Sequence, residues 1–332
     1  NNILNEFNKG YKKEAIKKLE KYIDNNPKDH TAIYNYALMA ETIGDTDKAI
    51  VNYKKVNKVD KNNWKSRFNL YLIYIYKKKY NKALKLVNHV LKIKPNYQPA
   101  LRDKALIYYH IDKPDEGLKI IQKSIALNNK DYIAINILGL NLVSLKFFDK
   151  AIEVFEKAIK INSEYFPSYN NLGNCLNILK KQDLALKNFK KALQINPNFQ
   201  EAINNIANIY NITGKYKIAI NYYKEALAKG AEKSKIYYNI GVAHLYLNEL
   251  DKAEEYYKKS FKLNPNDSIL QKNFAILFLA QQKYKKAWKM FEGRLGLDDF
   301  VLENTNIYNI REKLWKKEKI KQNDKILVIK EQ

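Results

Sequence analysis

Residues 170–177 read NNLGNCLN and residues 204–211 read NNIANIYN, so four asparagines stand at the same four places, 34 residues apart. A primary amide carries donor hydrogens and an acceptor oxygen, the pair of functions that one peptide group of an extended ligand also presents. Amides repeated at fixed spacing can therefore grip a polypeptide backbone while leaving its side chains unread. One of these positions can be followed in steps of 34 along the whole chain: Asn35, Asn69, Asp103, Ile137, Asn171, Asn205, Asn239 and Asn273. Six asparagines in eight slots far exceeds the 41 in 332 found overall. The candidate binding residues are Asn35, Asn69, Asp103, Asn171, Asn174, Asn205, Asn208, Asn239 and Asn273, with Ile137 marking a place for a ligand side chain. The same amides could instead serve the local fold, and the sequence leaves both readings open.

Other chemistry is excluded more easily. No G-x-G-x-x-G and no P-loop occurs. His30, His89, His110 and His244 form no i, i+4 pair that would hold zinc. The single cysteine, Cys175, rules out a disulfide framework and sits mid-helix beside a core position. No catalytic residue, metal ligand or cofactor-binding motif is recognised in residues 1–332. The net charge of +25 could draw nucleic acid, anionic lipid or acidic protein. Yet only Arg67, Arg102, Arg294 and Arg311 among 60 basic residues are arginine, the side chain best suited to phosphate. Lysine, asparagine, isoleucine and tyrosine are abundant together, as an A/T-rich genome would produce, so specific nucleic-acid binding is not expected. No apolar run reaches the ~18 residues of a membrane span. A cytoplasmic protein is expected, although the chain begins on Asn1 rather than methionine.

The elements that must position the amides follow from the same period. Alanine recurs at 15, 49, 83, 151, 185, 219, 253 and 287, with Gly117 in the one gap. Twelve residues before each of these, from 37 onward, stands a mostly small residue, such as Ala37, Gly139, Gly173 and Gly241. Pro27, Pro95, Pro197 and Pro265 keep a third phase. Each unit carries two helical patterns. Ala151, Ile152, Phe155, Ala158 and Ile159 share one face of a second helix (B), and Ile203, Ile206, Ala207 and Tyr210 one face of a first helix (A). Asn204, Asn208 and Asn211 then point away from the packed side, with Asn205 flanking them.

This pattern resembles the tetratricopeptide repeat, over a partial repeat at 1–29 and full repeats at 30–63, 64–97, 98–131, 132–165, 166–199, 200–233, 234–267 and 268–301. The resemblance implies an all-α fold: a right-handed superhelix, or α-solenoid, of eight to nine helical hairpins with helix A on the concave wall. The asparagine ladder is similar to that in the repeat domain of O-linked N-acetylglucosamine transferases, where such residues hold the acceptor polypeptide. The rival carboxylate clamp needs basic residues beside asparagine in three adjacent repeats, and Arg102 and Lys272 stand too far apart for it.

After residue 301 the period stops. Residues 302–332 read as a linker helix and then a strand, ILVIK, that opens a truncated α/β domain. AWKMFEGRL (287–295), Leu314-Trp315 and the strand ending in Glu331-Gln332 resemble the junction between a repeat array and a bacterial glycosyltransferase domain. That resemblance implies a nucleotide-sugar donor bound beyond Gln332, with this segment binding extended polypeptide for it. The alternative is a stand-alone scaffold for assembling other proteins.

Overall fold

The computed structural model describes residues 2–287 and 290. A short opening pair, α1 (Asn2–Asn8) and α2 (Lys12–Asn25), precedes α3 (His30–Thr42), α4 (Thr46–Val59), α5 (Trp64–Tyr76), α6 (Tyr80–Ile93), α7 (Gln98–His110) and α8 (Pro114–Leu127). Then follow α9 (Tyr132–Ser144), α10 (Phe148–Ile161), α11 (Phe166–Ile178), α12 (Gln182–Ile195), α13 (Gln200–Ile212), α14 (Tyr216–Ala228), α15 (Lys233–Tyr246), α16 (Leu250–Leu263) and α17 (Ser268–Ala280). Helical backbone resumes at 284, and the described residues contain no strand. The expected linker helix from 302 and the strand ILVIK lie outside the described residues.

The chain divides into two compact units between Ala202 and Ile203, within α13. Inside each, helices pair as antiparallel hairpins. Apart from α13, which the division cuts, the odd-numbered helix (A) packs on the even-numbered helix (B) that follows, and the B helices within a unit pack on the next A helix. A helices of successive hairpins also touch, α7 with α9, α9 with α11, and α15 with α17. They therefore form one continuous wall within a unit.

Local chemistry sets the helix ends. Asp29, Asn63, Asp131 and Asp267 cap A helices by accepting hydrogen bonds from backbone N–H groups of the first turn. Pro99, Pro114 and Pro167 fall in first turns, where the missing N–H costs nothing. Every full A helix ends in the same way. In α5, Lys79 N–H donates to the Tyr74 carbonyl at 2.7 Å and Lys78 N–H to the Ile75 carbonyl at 2.9 Å. This closure needs a left-handed residue. Gly44 and Gly214 supply it at φ of 84° and 76°, but Lys78, Asp112, Lys146, Lys180, Asn248 and Gln282 occupy it at φ between 54° and 63°.

The two small-residue columns are where the helices of a hairpin cross. Ala15, Ala49, Ala83, Ala151, Ala185, Ala219, Ala253 and Ala287 are all fully buried. In the A-helix column, volume is traded against the facing B helix. Gly139 lies under the ring of Phe155, Gly173 under Phe189 and Gly241 under Tyr257. The second full hairpin inverts the trade, burying Tyr71 beside Val87. Close packing at crystal-like density demands this reciprocity.

Candidate functional site

The ladder residues lie on the A helices, and all except Asp103 and Ile137, which are buried, are half-buried. Their amides are engaged on one side. Asn69 donates through Nδ2 to the hydroxyls of Tyr34 (3.2 Å) and Tyr53 (3.1 Å). Asn171 donates to Asn136 Oδ1 at 3.0 Å, Asn239 to Asn208 Oδ1 at 3.2 Å, and Asn273 to the Tyr238 hydroxyl at 2.7 Å. Three of these four rungs therefore reach a residue 35 positions back, on the preceding A helix. The NH2 half of each ties neighbouring hairpins together. The oxygens of Asn69, Asn171, Asn239 and Asn273 receive no hydrogen bond among the described residues, and none is shut off from solvent. The side-chain amides of Asn35 and Asn174 make no hydrogen bond within the described residues. Asn205 is half-buried and has a partner of its own.

Two rungs depart from this pattern. Asp103 is buried, accepting at Oδ2 from the Tyr71 hydroxyl (3.0 Å) and at Oδ1 from Arg102 Nε (3.2 Å). Burial pushes its carboxyl upward, against the pull of the Arg102 guanidinium and the Tyr71 hydroxyl. Burial also pulls the Arg102 guanidinium down, but Asp103 and Asp131 outweigh it and hold it above its ordinary value. Ile137 is 3% exposed and belongs to a core cluster with Ala105, Ile121 and Ala134. The open-oxygen pattern thus stops at α7 and α9 and resumes at Asn171.

The doubled amides separate in the same way. Asn208 Oδ1 accepts from both the Tyr223 hydroxyl (2.7 Å) and Asn239. In unit 1, Asn136 Oδ1 has the same role, accepting from Ser168 Oγ at 3.0 Å and from Asn171. The oxygens of Asn177 and Asn211, by contrast, are cut off from solvent. Sequence reasoning missed Asn136 and the tyrosine hydroxyls as partners. Their signal is nonetheless in the sequence, because Asn136, Tyr34 and Tyr238 occupy one column of the same 34-residue frame.

Charge is distributed unevenly. The B helices α2 to α16 hold 26 lysines, and the A helices α1 to α17 hold 5. Helices α9 and α11 have no charged residue or histidine. The ladder wall is thus a weakly charged surface of amides and tyrosines, while the basic character lies on the other layer. No group of three or more His, Cys, Asp or Glu able to hold a metal occurs among the described residues. No described helix is long and apolar enough to cross a membrane. Burial raises the Cys175 thiol above its ordinary value, and its Sγ donates to the Phe148 carbonyl, which suits a packing role.

Family models described as tetratricopeptide repeats match residues 30–63, 166–199, 200–232 and 234–267. The model of the N-terminal tetratricopeptide region of Psidin matches residues 69–176. No curated protein sequence gives a significant match. Among solved structures, the APC/C hetero-tetramer Cut9–Hcn1 is similar at a TM-score of 0.64 and 17% identity, over 90% of this chain and 58% of that one. A tetratricopeptide repeat protein from Parabacteroides merdae aligns at 0.61 and 16% identity, over 75% of this chain and 98% of that one. Pseudomonas aeruginosa pilF aligns at 0.51 and 20% identity, over 61% and 92%. At these identities the likeness concerns the fold: stacked helical hairpins.

Proposed function

Since this chain is a tetratricopeptide-repeat protein, we propose that the A-helix wall of each unit binds extended polypeptide by accepting hydrogen bonds from its backbone N–H groups. The observation that carries this reading is the one-sided use of the ladder. At Asn69, Asn171, Asn239 and Asn273 the donor half is committed to a neighbouring helix, and the oxygen has no donor among the described residues. Such a wall reads N–H groups at repeat spacing and ignores side chains. Peptides whose N–H groups are removed, by proline or N-methylation, are expected to bind poorly. If each bond nets about 0.5–1.5 kcal/mol, a few of them give several kcal/mol before ordering costs, which corresponds to weak, sequence-tolerant binding.

Two amides separate binding from stability. The side chains of Asn35 and Asn174 make no hydrogen bond within the described residues, so the double variant Asn35→Ala/Asn174→Ala should keep its melting temperature. It should lose at least about fivefold in affinity for an extended peptide, roughly two bonds at the low end of their range. Unchanged affinity in that variant, with Asn69→Ala merely less stable, would leave the ladder a structural device and end the proposal. Because α9 and α11 carry no charge, peptide affinity at that stretch should barely change between 50 and 300 mM salt. Phosphate-driven nucleic-acid binding falls steeply over such a range.

A finer form of the reading makes the array the acceptor-binding arm of a protein glycosyltransferase. It is supported by the resemblance at 287–295 and 314–332, nearly all of which lies outside the described residues. Its test is the coding sequence beyond Gln332, where a glycine-rich turn leading into a helix, and uptake of a nucleotide sugar by that protein, are expected. A stop codon there would leave a binding scaffold.

A further inference from the structure

We propose that a groove formed by α6, α7 and α8 in the first unit binds a small amphipathic organic anion, an alkyl chain ending in a carboxylate. The starting point is a departure from the repeat. In the column of Lys104, the other hairpins place Tyr36, Leu70, Leu138, Leu172, Ile206, Ile240 and Phe274. All of these except the half-buried Leu138 are buried in the core. Lys104 is the one charged member of an apolar column. Lys104 is only half-buried there, and its ammonium lies 5.6 Å from the centre of the Tyr108 ring.

A cavity of about 440 Å³ lies at this point, lined by Leu91, Pro95, Leu101, Ile120 and Leu127, with Lys104 and Lys123 supplying the charge. The volume falls within the ~300–1,000 Å³ of small-molecule sites. Neither ammonium has a carboxylate within ion-pair distance among the described residues. Asp103, the acid nearest in sequence, is already held by Tyr71 and Arg102. Burial, and then the neighbouring Lys123 charge, pull the Lys104 ammonium below its ordinary range. Two unneutralised cations over an apolar floor are relieved by an anionic head whose tail covers that floor. Lys123 is an ordinary B-helix lysine, like Lys55, Lys157 and Lys191 in its column, so Lys104 is the residue that makes the site. This inference does not depend on the asparagine wall.

The test uses decanoate below its micelle-forming concentration, with decanol and acetate as the tail-only and head-only probes, titrated into the whole chain by calorimetry. The critical variant is Lys104→Leu, which installs the residue used by Leu70, Leu138 and Leu172 and should fold at least as well as the parent. The expected result is saturable binding of one decanoate per chain, at least tenfold weaker in Lys104→Leu and retained in Lys54→Gln/Lys55→Gln on α4. Decanol and acetate should each bind at least tenfold more weakly than decanoate. Equal binding by Lys104→Leu, or by decanol, would overturn the proposal. So would binding confined to phosphatidylglycerol vesicles and lost in Lys54→Gln/Lys55→Gln, because the attraction would then belong to the general lysine surface.

Discussion

Replacing Gly173 by alanine adds one methyl group beneath a ring that cannot move aside. The new Cβ would lie 2.6 Å from Phe189 Cε1, 2.8 Å from Cδ1 and 3.0 Å from Cζ, where carbon atoms prefer about 3.5–4.0 Å. Phe189 is 1% exposed, so its ring has no solvent to swing into. Overpacking of this kind costs about 1–3 kcal/mol. Against it stands the better helix propensity of alanine in the middle of α11, a gain of about 1 kcal/mol. The first full hairpin seats Ala37 and Tyr53 in one core, so the frame can open slightly and the net loss in Gly173→Ala should stay below about 2 kcal/mol. The sharper test is a double-mutant cycle in urea denaturation. In a Phe189→Leu background the methyl group has room, and the same substitution should stabilise by about 1 kcal/mol. The coupling between the sites should then be about 1–3 kcal/mol. If Gly173→Ala stabilises equally in both backgrounds, the ring is not what excludes the side chain, and the account of volume trading between paired helices fails.

Three further outcomes follow from the same repeat logic. At the left-handed turn positions, Lys78→Gly and Lys146→Gly should each raise stability by about 0.5 kcal/mol, since relief of about 1–2 kcal/mol of left-handed strain exceeds the ~0.4–1 kcal/mol of glycine entropy; Gly214→Lys should lose a similar amount, read by thermal melting. In the B-helix column, the buried Tyr257 hydroxyl has no partner among the described residues, so Tyr257→Phe should gain about 1 kcal/mol. Tyr53→Phe, which loses a 2.7 Å bond to Glu41 and a bond from Asn69, should be destabilised in the same assay. Burial pushes Glu254 up, but Lys258 and Lys283, at 2.7 and 2.9 Å, outweigh it and bring its pKa from 4.5 down to about 2. A depressed carboxylate stabilises above its unfolded pKa, so this contribution should be complete above pH 5 and fade between pH 4.5 and 2. Lys283→Met should flatten that part of the melting profile.

The fold was legible because a period is a global signal. Alanines spaced by 34 residues can only mark equivalent crossings, and all eight are fully buried. Pro27, Pro95, Pro197 and Pro265 each stand two residues past a helix end, after α2, α6, α12 and α16, for the same reason. The site was legible only in part. The 34-residue frame placed the amides on the A helices but could not show which half of each amide was in use. That depends on what stands 35 residues back, whether Tyr34, Asn136 or Tyr238, and so on pairs between hairpins rather than on one column. Asp103 read as a ladder member because an acid is nearly isosteric with the amide. Its burial is decided by Tyr71, whose volume and hydroxyl come from another hairpin. The left-handed lysines were invisible because glycine is the usual marker of that turn, and among the full A helices only Gly44 and Gly214 display it.

The lysine distribution bears on how such a chain can remain selective. A surface with a net charge of +25 attracts polyanions wherever lysine is exposed. A binding wall sharing that charge would collect them in preference to neutral polypeptide. Here the lysines are concentrated on the B layer, and the wall at α9 and α11 carries none. Tyrosine and asparagine occupy the places that lysine takes elsewhere, supplying hydrogen bonds that ionic strength does not screen. The amides at Asn69 and Asn171 then serve twice, their NH2 groups holding adjacent hairpins in register and their oxygens remaining available. Replacing such a residue removes the tie between hairpins and the proposed acceptor at once, so loss of peptide binding at Asn69 or Asn171 would by itself establish neither. Only residues like Asn35 and Asn174, which hold nothing together within the described structure, can report on the wall as a binding surface.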